Sequence, residues 1–147
     1  MTTSTSICPN DNDYILRLIP QRKPFRMVDQ LVGVDGETAY TSLAIGNDNY
    51  FVEGGVMSTC GLIEHIAQSA SAMAGHKALQ AGAQEPPQGI LAEVKHFLCH
   101  RQPRAGETLS TQVTKGVEVA GVAIVTGETR VGDELIAQIN MKIYIPQ

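Results

Sequence analysis

The chain has 147 residues and a formal net charge of −4 at pH 7. This length suits one domain with a proper buried core, and the acidic balance argues against nucleic acid as a partner. No apolar stretch is long enough to span a membrane, and the amino terminus lacks a signal-peptide pattern. We therefore predict a single cytoplasmic domain over residues 1–147, with residues 1–10 flexible.

The first half of the chain predicts one short helix and a strand pair before a long helix. Asp13 to Ile19 favours one or two helical turns, because Pro20 stops a helix. Two strands are then expected around the Asp35-Gly36 turn signal, over Met27 to Val34 and over Thr38 to Ile45. A loop over Gly46 to Tyr50 follows.

The segment from Phe51 to Leu79 organises the rest. After a Gly54-Gly55 pair, Ser58 or Thr59 can cap a helix, which we expect to reach Leu79 and to end at Gly82. Its apolar and small residues recur at helical spacing around much of the circumference, which indicates a buried helix. Glu64 lies inside this pattern, with Gln68 one turn later, and a buried carboxylate is costly unless it is used or satisfied.

Beyond the helix, the sequence predicts only strands, rich in Val, Ile and Thr and separated by turn residues. Their expected ranges are Ile90 to Cys99, Glu107 to Val117, Gly121 to Arg130 and Leu135 to Ile145. Short connections imply antiparallel pairing. The predicted architecture is α+β, an antiparallel sheet of five or six strands around one long helix. Because one helix covers a sheet incompletely, we also expect a symmetric dimer formed edge to edge.

Four segments resemble one family in register. Leu18 to Asp29 is similar to the amino-terminal LPHRxPFxxVD signature of the bacterial 3-hydroxyacyl-(acyl-carrier-protein) dehydratases. Ile63 to Gln68 resembles their central-helix motif, Phe97 with Pro103 to Glu107 their third segment, and Gly132 to Ala137 their final hairpin. The GLIE-x-IAQ motif resembles the corresponding segment of the dehydratase-like proteins of aryl polyene pathways. The resemblance implies a hotdog fold, an acyl carrier protein as substrate partner, and no cofactor.

The chain departs from the family immediately before the helix. The dehydratases carry a histidine there in a G-H-F-P-x-x-P loop, and this histidine acts with the helix glutamate of the other subunit. Here Phe51 to Met57 contains no histidine, so only Glu64 and the supporting Gln68 carry over. Dehydration needs a base at the carbon beside the carbonyl and an acid at the departing hydroxyl. Glu64, with its pKa raised by an apolar tunnel, suits the acid, and no residue of the matched loop supplies the base.

Other residues complete the predicted site. His65 is interpreted as a core or interface histidine in a supporting role, with a role as replacement base as the competing interpretation. Phe51, Gly54 and Gly55 are candidates for substrate binding, the glycines as a turn or as part of an oxyanion site. Arg101 and Arg104 are candidates for docking an acidic carrier protein. The histidines and cysteines show no spacing that indicates a metal site.

Three functions follow from these observations. The first is a 3-hydroxyacyl-(acyl-carrier-protein) dehydratase of fatty acid or polyene biosynthesis, with a related hotdog subunit supplying the missing histidine in a heteromer. The second is a hotdog thioesterase in which Glu64 activates water or attacks the thioester. The third is a non-catalytic subunit that binds acyl chains.

Overall fold

The structure, a computed structural model, describes residues 4–6, 13–85 and 90–144. Within these residues it contains two helices and nine strands. The helices are α1 (Ile15–Leu18) and α2 (Thr59–Gln80), and the strands are β1 (Ser4–Ser6), β2 (Gln30–Asp35), β3 (Thr38–Ala44), β4 (Val52–Glu53), β5 (Val56–Met57), β6 (Ile90–Cys99), β7 (Thr108–Val119), β8 (Val122–Val131) and β9 (Glu134–Tyr144). Neither helix is both long and apolar enough to cross a membrane.

One antiparallel sheet dominates the fold, in the order β1-β2-β3-β7-β8-β9-β6. Its six longer strands confirm the predicted sheet, although β2 begins at Gln30 rather than at Met27. Strand β1 is an addition that the sequence analysis did not predict, because Ser4–Ser6 pair with Gly33 to Asp35. The remaining residues of the segment predicted to be flexible, 1–3 and 7–10, lie outside the described residues.

Helix α2 confirms the predicted central helix at both ends. The side chain of Ser58 accepts a hydrogen bond from the Gly61 N–H, which satisfies one of the free donors of the first turn. Beyond Gln80 the chain turns through Gly82, whose φ of 99° favours glycine. The helix packs mainly against β2, β3 and β7, and its apolar residues fill the core with those of the sheet.

Close backbone contacts explain several small residues in this core. A Cβ atom at Gly127 would lie 2.6 Å from the side chain of Ile66, so the glycine lets the helix lie near the sheet. A Cβ atom at Gly75 would lie 2.3 Å from the carbonyl oxygen of Leu18, so the second glycine lets α1 dock on α2. These contacts fix where α2 crosses the sheet, and therefore which of its faces stays uncovered.

Candidate active site

The two sides of α2 have different surroundings. The side that faces β3 and β7 is buried and includes Leu62, His65, Ile66, Ser69, Met73 and His76. At about 100° per residue, the opposite side forms a stripe of mostly half-buried or exposed residues, interrupted by the buried Ser71, and we call it the open stripe. Its members are Cys60, Ile63, Glu64, Ala67, Ala74 and Ala78. All but Glu64 are apolar or weakly polar, so the stripe is an apolar surface with one carboxylate.

The edge of the sheet extends this apolar surface. Strand β6 pairs with β9 on one side, and its other side is the edge of the sheet. Leu91 and Val94 lie opposite Ile143 and Met141, so they share the inner face of the sheet. Their partners on β9 are buried, whereas Leu91 and Val94 are 38% and 36% exposed. Among the described residues, the helix therefore leaves this end of the inner face uncovered.

Glu64 is half-buried on the open stripe. Among the described residues no hydrogen bond or ion pair holds its carboxylate. Gln68 does not satisfy this carboxylate, because both ends of its amide bind backbone elsewhere. An apolar tunnel around Glu64 would need a second wall on the open stripe, which one chain does not supply. The carboxylate is thus free to act on something outside this chain.

Gln68 fastens the loop before β2 to the helix. The Met27 N–H donates to its Oε1 at 2.7 Å, and its Nε2 donates to the carbonyl of Phe25 at 2.9 Å. The side chain is 2% exposed, so these bonds satisfy an amide that would otherwise be buried without partners. Gln68 supports the site by holding this loop, and it does so one turn from Glu64.

His65 is fully buried and both of its ring nitrogens are engaged. Nδ1 lies 2.6 Å from the carbonyl oxygen of Met27, and Nε2 lies 2.7 Å from Oγ1 of Thr111. Since a carbonyl only accepts, the hydrogen-bond network assigns the proton to Nδ1 and leaves Nε2 to accept from Thr111. Burial lowers the pKa of His65 to about 4, against weaker opposing effects of the Met27 carbonyl and Asp29. These contacts favour the core histidine over the replacement base.

Hydroxyl groups continue the hydrogen-bond network around His65. Thr129 lies 2.8 Å from Thr111, and because Thr111 donates to His65 it can accept from Thr129. On the other side Ser69 donates to the His65 carbonyl at 2.8 Å and lies 2.7 Å from Thr41. Strands β3, β7 and β8 are thereby linked to one turn of α2. Satisfied buried networks of this kind fix a unique packing, and here they fix the turn that carries Glu64.

A short hairpin precedes the helix in place of the loop that the sequence suggested. Val52–Glu53 and Val56–Met57 pair antiparallel, and Gly54 and Gly55 form the turn between them with φ of 63° and 79°. Two residues with positive φ match a tight hairpin turn, which the Gly-Gly pair permits. The Gly55 carbonyl accepts from Ala105 at 3.0 Å. The glycines are therefore a turn, three residues away from the first turn of α2.

An open cleft of about 530 Å³ lies between this hairpin and the start of α2. Phe51 lines it, and a Cβ atom at Gly61 would lie 2.6 Å from the Phe51 side chain, so the ring rests directly on the helix. The other residues that line the cleft are Tyr50, Val52, Glu53, Val56, Ser58 and Gln102. Phe51 thus stays a predicted substrate-binding residue, at the end of the helix nearest to Glu64.

Comparisons with known proteins agree with this geometry. A family model described as ApeP-like, ApeP dehydratase, matches residues 14–147. The chain belongs to the ApeP-like family. This match covers α2 with Glu64, the hairpin before it and all six longer strands of the sheet. The ApeP-like chain therefore carries its open stripe and its cleft within the part that defines the family.

Curated relatives cover less of the chain. A 3-hydroxyacyl-[acyl-carrier-protein] dehydratase FabZ from Rhizobium etli is 33% identical over 87 residues, which are 54% of this chain and 55% of the relative. A FabZ from Allorhizobium ampelinum is 37% identical over 78 residues, 46% of this chain and 48% of the relative. The ApeP-like chain spans about half the length of the curated relatives it matches.

Solved structures confirm the hotdog fold. A chain of the dehydratase heterocomplex ApeI:P from Xenorhabdus doucetiae is 17% identical, with a TM-score of 0.83 over 90% of this chain and 91% of that one. The PaaI protein of the E. coli phenylacetic acid degradation operon is 12% identical, with a TM-score of 0.62 over 80% of this chain and 79% of that one. At these identities the matches show the fold alone.

The two predicted docking arginines of the ApeP-like chain differ in their partners. Arg101 binds both carboxylate oxygens of Glu107, at 2.9 and 2.8 Å, and also both oxygens of Glu134. Its guanidinium holds the pKa of Glu107 at about 2, helped by the Arg104 N–H. Arg104 itself is exposed, and its guanidinium has no carboxylate within ion-pair distance in the described part of the chain. The ion pairs of Arg101 with Glu107 and Glu134 therefore occupy its guanidinium. Only Arg104 stays a predicted docking residue.

Within the described residues, no three His, Cys, Asp or Glu side chains lie close enough together to hold a metal ion. The sequence pointed to Glu64, Gln68 and His65, but it did not indicate the hairpin or the aromatic contacts of Tyr50. The signal for the hairpin was present as a Gly-Gly pair between Val52 and Val56. Its strands are only two residues long, which is too short for a periodic pattern to show.

Proposed function

We propose that this chain acts in a 3-hydroxyacyl-(acyl-carrier-protein) dehydratase, in which it supplies Glu64 as the general acid. The observation that carries this proposal is the position of Glu64, an unpaired carboxylate on an apolar surface that one chain leaves uncovered. The family and the names of its relatives support an acyl thioester bound to a carrier protein as the substrate. Cytoplasmic location stays a prediction.

The chemistry requires a second group. A base removes a proton from the carbon beside the thioester carbonyl, the bond from the next carbon to its hydroxyl breaks, and Glu64 protonates the departing hydroxyl to give water and an enoyl thioester. A wall over the open stripe would shield this proton transfer from bulk water. The base cannot be His65, because both of its nitrogens are engaged in the core.

A related hotdog subunit supplies that base in our proposal. It packs on the open stripe and on the uncovered inner face of β6, and it presents a histidine to Glu64. The similarity in fold to a chain of a two-component dehydratase complex supports this arrangement. The uncovered apolar surface also suits a homodimer, which would bring a second copy of Glu64 but no histidine from this chain's hairpin.

The deciding experiment compares the purified chain with a complex co-expressed with a histidine-bearing hotdog dehydratase of the same pathway. We expect enoyl product only from the complex, and loss of that product when the partner's histidine is replaced. Glu64→Gln in the complex should also remove the product. The matched control is Glu85→Gln, which makes the same change at an exposed carboxylate beyond the other end of α2 and should leave product formation unchanged. Turnover by the purified chain on the order of 10 s⁻¹, abolished by His65→Ala, would contradict the proposal.

The same assay separates the two other functions. Free acid from saturated acyl thioesters would indicate the thioesterase, with Glu64 activating water. Binding of acyl thioesters without turnover, alone and in every complex, would indicate the non-catalytic subunit. The dehydratase is preferred over both because the family model that matches residues 14–147 is a dehydratase model.

A further inference from the structure

The positive charges of the chain are distributed unevenly. It has 11 Lys and Arg residues, all within the described residues. Five of them form ion pairs with carboxylates, namely Lys77, Arg101, Lys115, Arg130 and Lys142. Four of the other six lie in one segment, Arg17, Arg22, Lys23 and Arg26, and residues 14–28 contain no Asp or Glu. In an acidic protein, this is the one segment of the described chain where unpaired positive charge accumulates.

Two of these four cations are available to a partner and two are engaged. Arg17 lies over the Tyr14 ring, 5.8 Å from its centroid. Arg22 donates to the backbone carbonyls of Leu16, Ile19 and Gln21, so its side chain holds the loop. Lys23 is exposed and Arg26 half-buried, and both line a shallow cavity of about 280 Å³. Asp29 and Asp48 line the same cavity, but in the described part of the chain neither lies within ion-pair distance of a cation, and Asp29 accepts a hydrogen bond from the Ala44 N–H. The ammonium and guanidinium groups therefore remain unpaired.

Exposed aromatic rings lie beside these cations. Phe25 is 53% exposed and Tyr50 is 59% exposed. Their ring centroids are 5.0 Å apart at an angle of 64°, and the Tyr50 ring in turn meets Phe51 at 5.1 Å and 81°. Exposed aromatic residues bordered by charge are typical of binding surfaces. We call Lys23, Phe25, Arg26 and Tyr50 the basic aromatic patch.

The basic aromatic patch is fastened to the turn of α2 that carries Glu64. Gln68 binds the backbone of Phe25 and Met27, on either side of Arg26, and His65 binds the carbonyl of Met27. Tyr50 and Phe51 connect the patch to the cleft at the start of the same helix. A protein bound on the patch is therefore held next to the cleft at the start of the helix that carries Glu64.

From this arrangement we infer that the basic aromatic patch is where the acidic carrier protein docks, in place of the turn at Arg101 and Arg104. This inference rests on the proposed function, since it names the surface that receives the carrier-bound substrate. Lys23 and Arg26 attract an acidic face over a distance and set its orientation. Phe25 and Tyr50 supply apolar contact area at little cost in side-chain entropy.

The test measures binding, so that it does not depend on turnover. A holo acyl carrier protein of the same pathway is titrated into the full chain, in its complex where one forms, at low and at high salt. We expect Lys23→Glu and Arg26→Glu each to weaken binding by about fivefold or more at low salt, and the effect to shrink at high salt. Phe25→Ser should weaken binding at both salt concentrations.

Arg104→Glu is the matched control, because it makes the same change in charge on another exposed arginine. It should leave the dissociation constant within about twofold. The inference would be overturned if Arg104→Glu weakened carrier binding while Lys23→Glu and Arg26→Glu left the dissociation constant unchanged. It would also be overturned if carrier binding by the unaltered protein did not depend on salt. Unchanged melting temperatures verify that the variants are folded.

Failure of this inference and failure of the proposed function can be distinguished. In one outcome, the patch variants change neither the turnover of a carrier-free 3-hydroxyacyl thioester nor the binding of the carrier protein. This result would reject the docking surface and leave the dehydratase function supported. In the other outcome, carrier binding depends on Lys23 and Arg26, but neither the carrier-bound nor the carrier-free thioester is dehydrated. This result would reject the dehydratase function and leave the docking surface supported.

Discussion

The two faces of α2 differ in what their polar groups do. On the buried face, His65 and Ser69 are satisfied by Met27, Thr111 and Thr41 within the same chain. On the open stripe, Glu64 lies between apolar residues without such partners. Buried polar groups that are satisfied fix the structure, whereas a carboxylate left free on an apolar surface is available for chemistry. One helix thus carries satisfied polar groups on one face and, among the described residues, an unpaired carboxylate on the other.

The largest expected effect concerns the open stripe. Glu64→Gln keeps the size of the side chain and removes the acid, so we expect dehydration by the active complex to fall about 100-fold or more. The melting temperature should not change by more than a degree or two, because the carboxylate makes no contact that supports the fold. Product formation and thermal unfolding are measured on the same preparation. Full activity in this variant would exclude Glu64 from the mechanism.

The matching change on the buried face should act on stability. His65→Ala leaves a cavity and removes the partners of Met27 and Thr111, so we expect a loss of about 3 kcal/mol in the free energy of unfolding. Denaturant unfolding measures this loss. The variant His65→Gln, which can restore one hydrogen bond, should recover part of it. Loss of activity in His65→Ala without loss of stability would contradict the structural role.

Lowering the pH should reduce the free energy of unfolding through the same histidine. The folded-state pKa of His65 is about 4, below the ordinary value of about 6.5, so the unfolded chain binds the extra proton between these values. Stability is therefore complete above pH 6.5 and falls as the pH drops toward 4, by about 3 kcal/mol from this group. His76, whose pKa is also lowered by burial, acts in the same direction.

Unfolding free energies measured between pH 4 and 7 check this dependence. The pH dependence should be shallower in His65→Gln than in the unaltered chain, since the variant cannot take up the proton. The ion pairs of Glu37 and Glu107 should not contribute to the pH dependence near neutral pH. The pKa values of both carboxyl groups lie below their ordinary value, so both groups stay ionised there. An equally steep dependence in the variant would assign the effect to other groups.

The smallest expected effect separates two neighbours in sequence. Leu62 is fully buried and Ile63 is half-buried on the open stripe. Leu62→Ala should cost about 3 kcal/mol of unfolding free energy, whereas Ile63→Ala should cost about 1 kcal/mol in the single chain. Ile63→Ala should in addition weaken subunit assembly, measured by the concentration dependence of the molar mass. Equal destabilisation by the two variants would mean that the stripe is covered within one chain.

What the sequence alone determined was local. Helical spacing from Leu62 to Ala74, the Ser58 cap and the Gly82 stop depend on near neighbours, and they predicted α2 almost to the residue. Alternation and turn signals predicted the six longer strands in the same way, and the motif around Glu64 pointed to the family. A two-residue strand gives no periodic pattern, so the β4–β5 hairpin was missed.

Tertiary structure decided which partner each polar side chain has. Gln68 binds Met27 rather than Glu64, His65 binds Thr111 rather than a substrate, and Arg101 binds Glu134. Each of these partners lies 33 or more residues away in the chain, where no local pattern can indicate it. Hydrogen bonds and ion pairs depend on distances within a few ångströms, and only the packing of α2 on the sheet sets those distances.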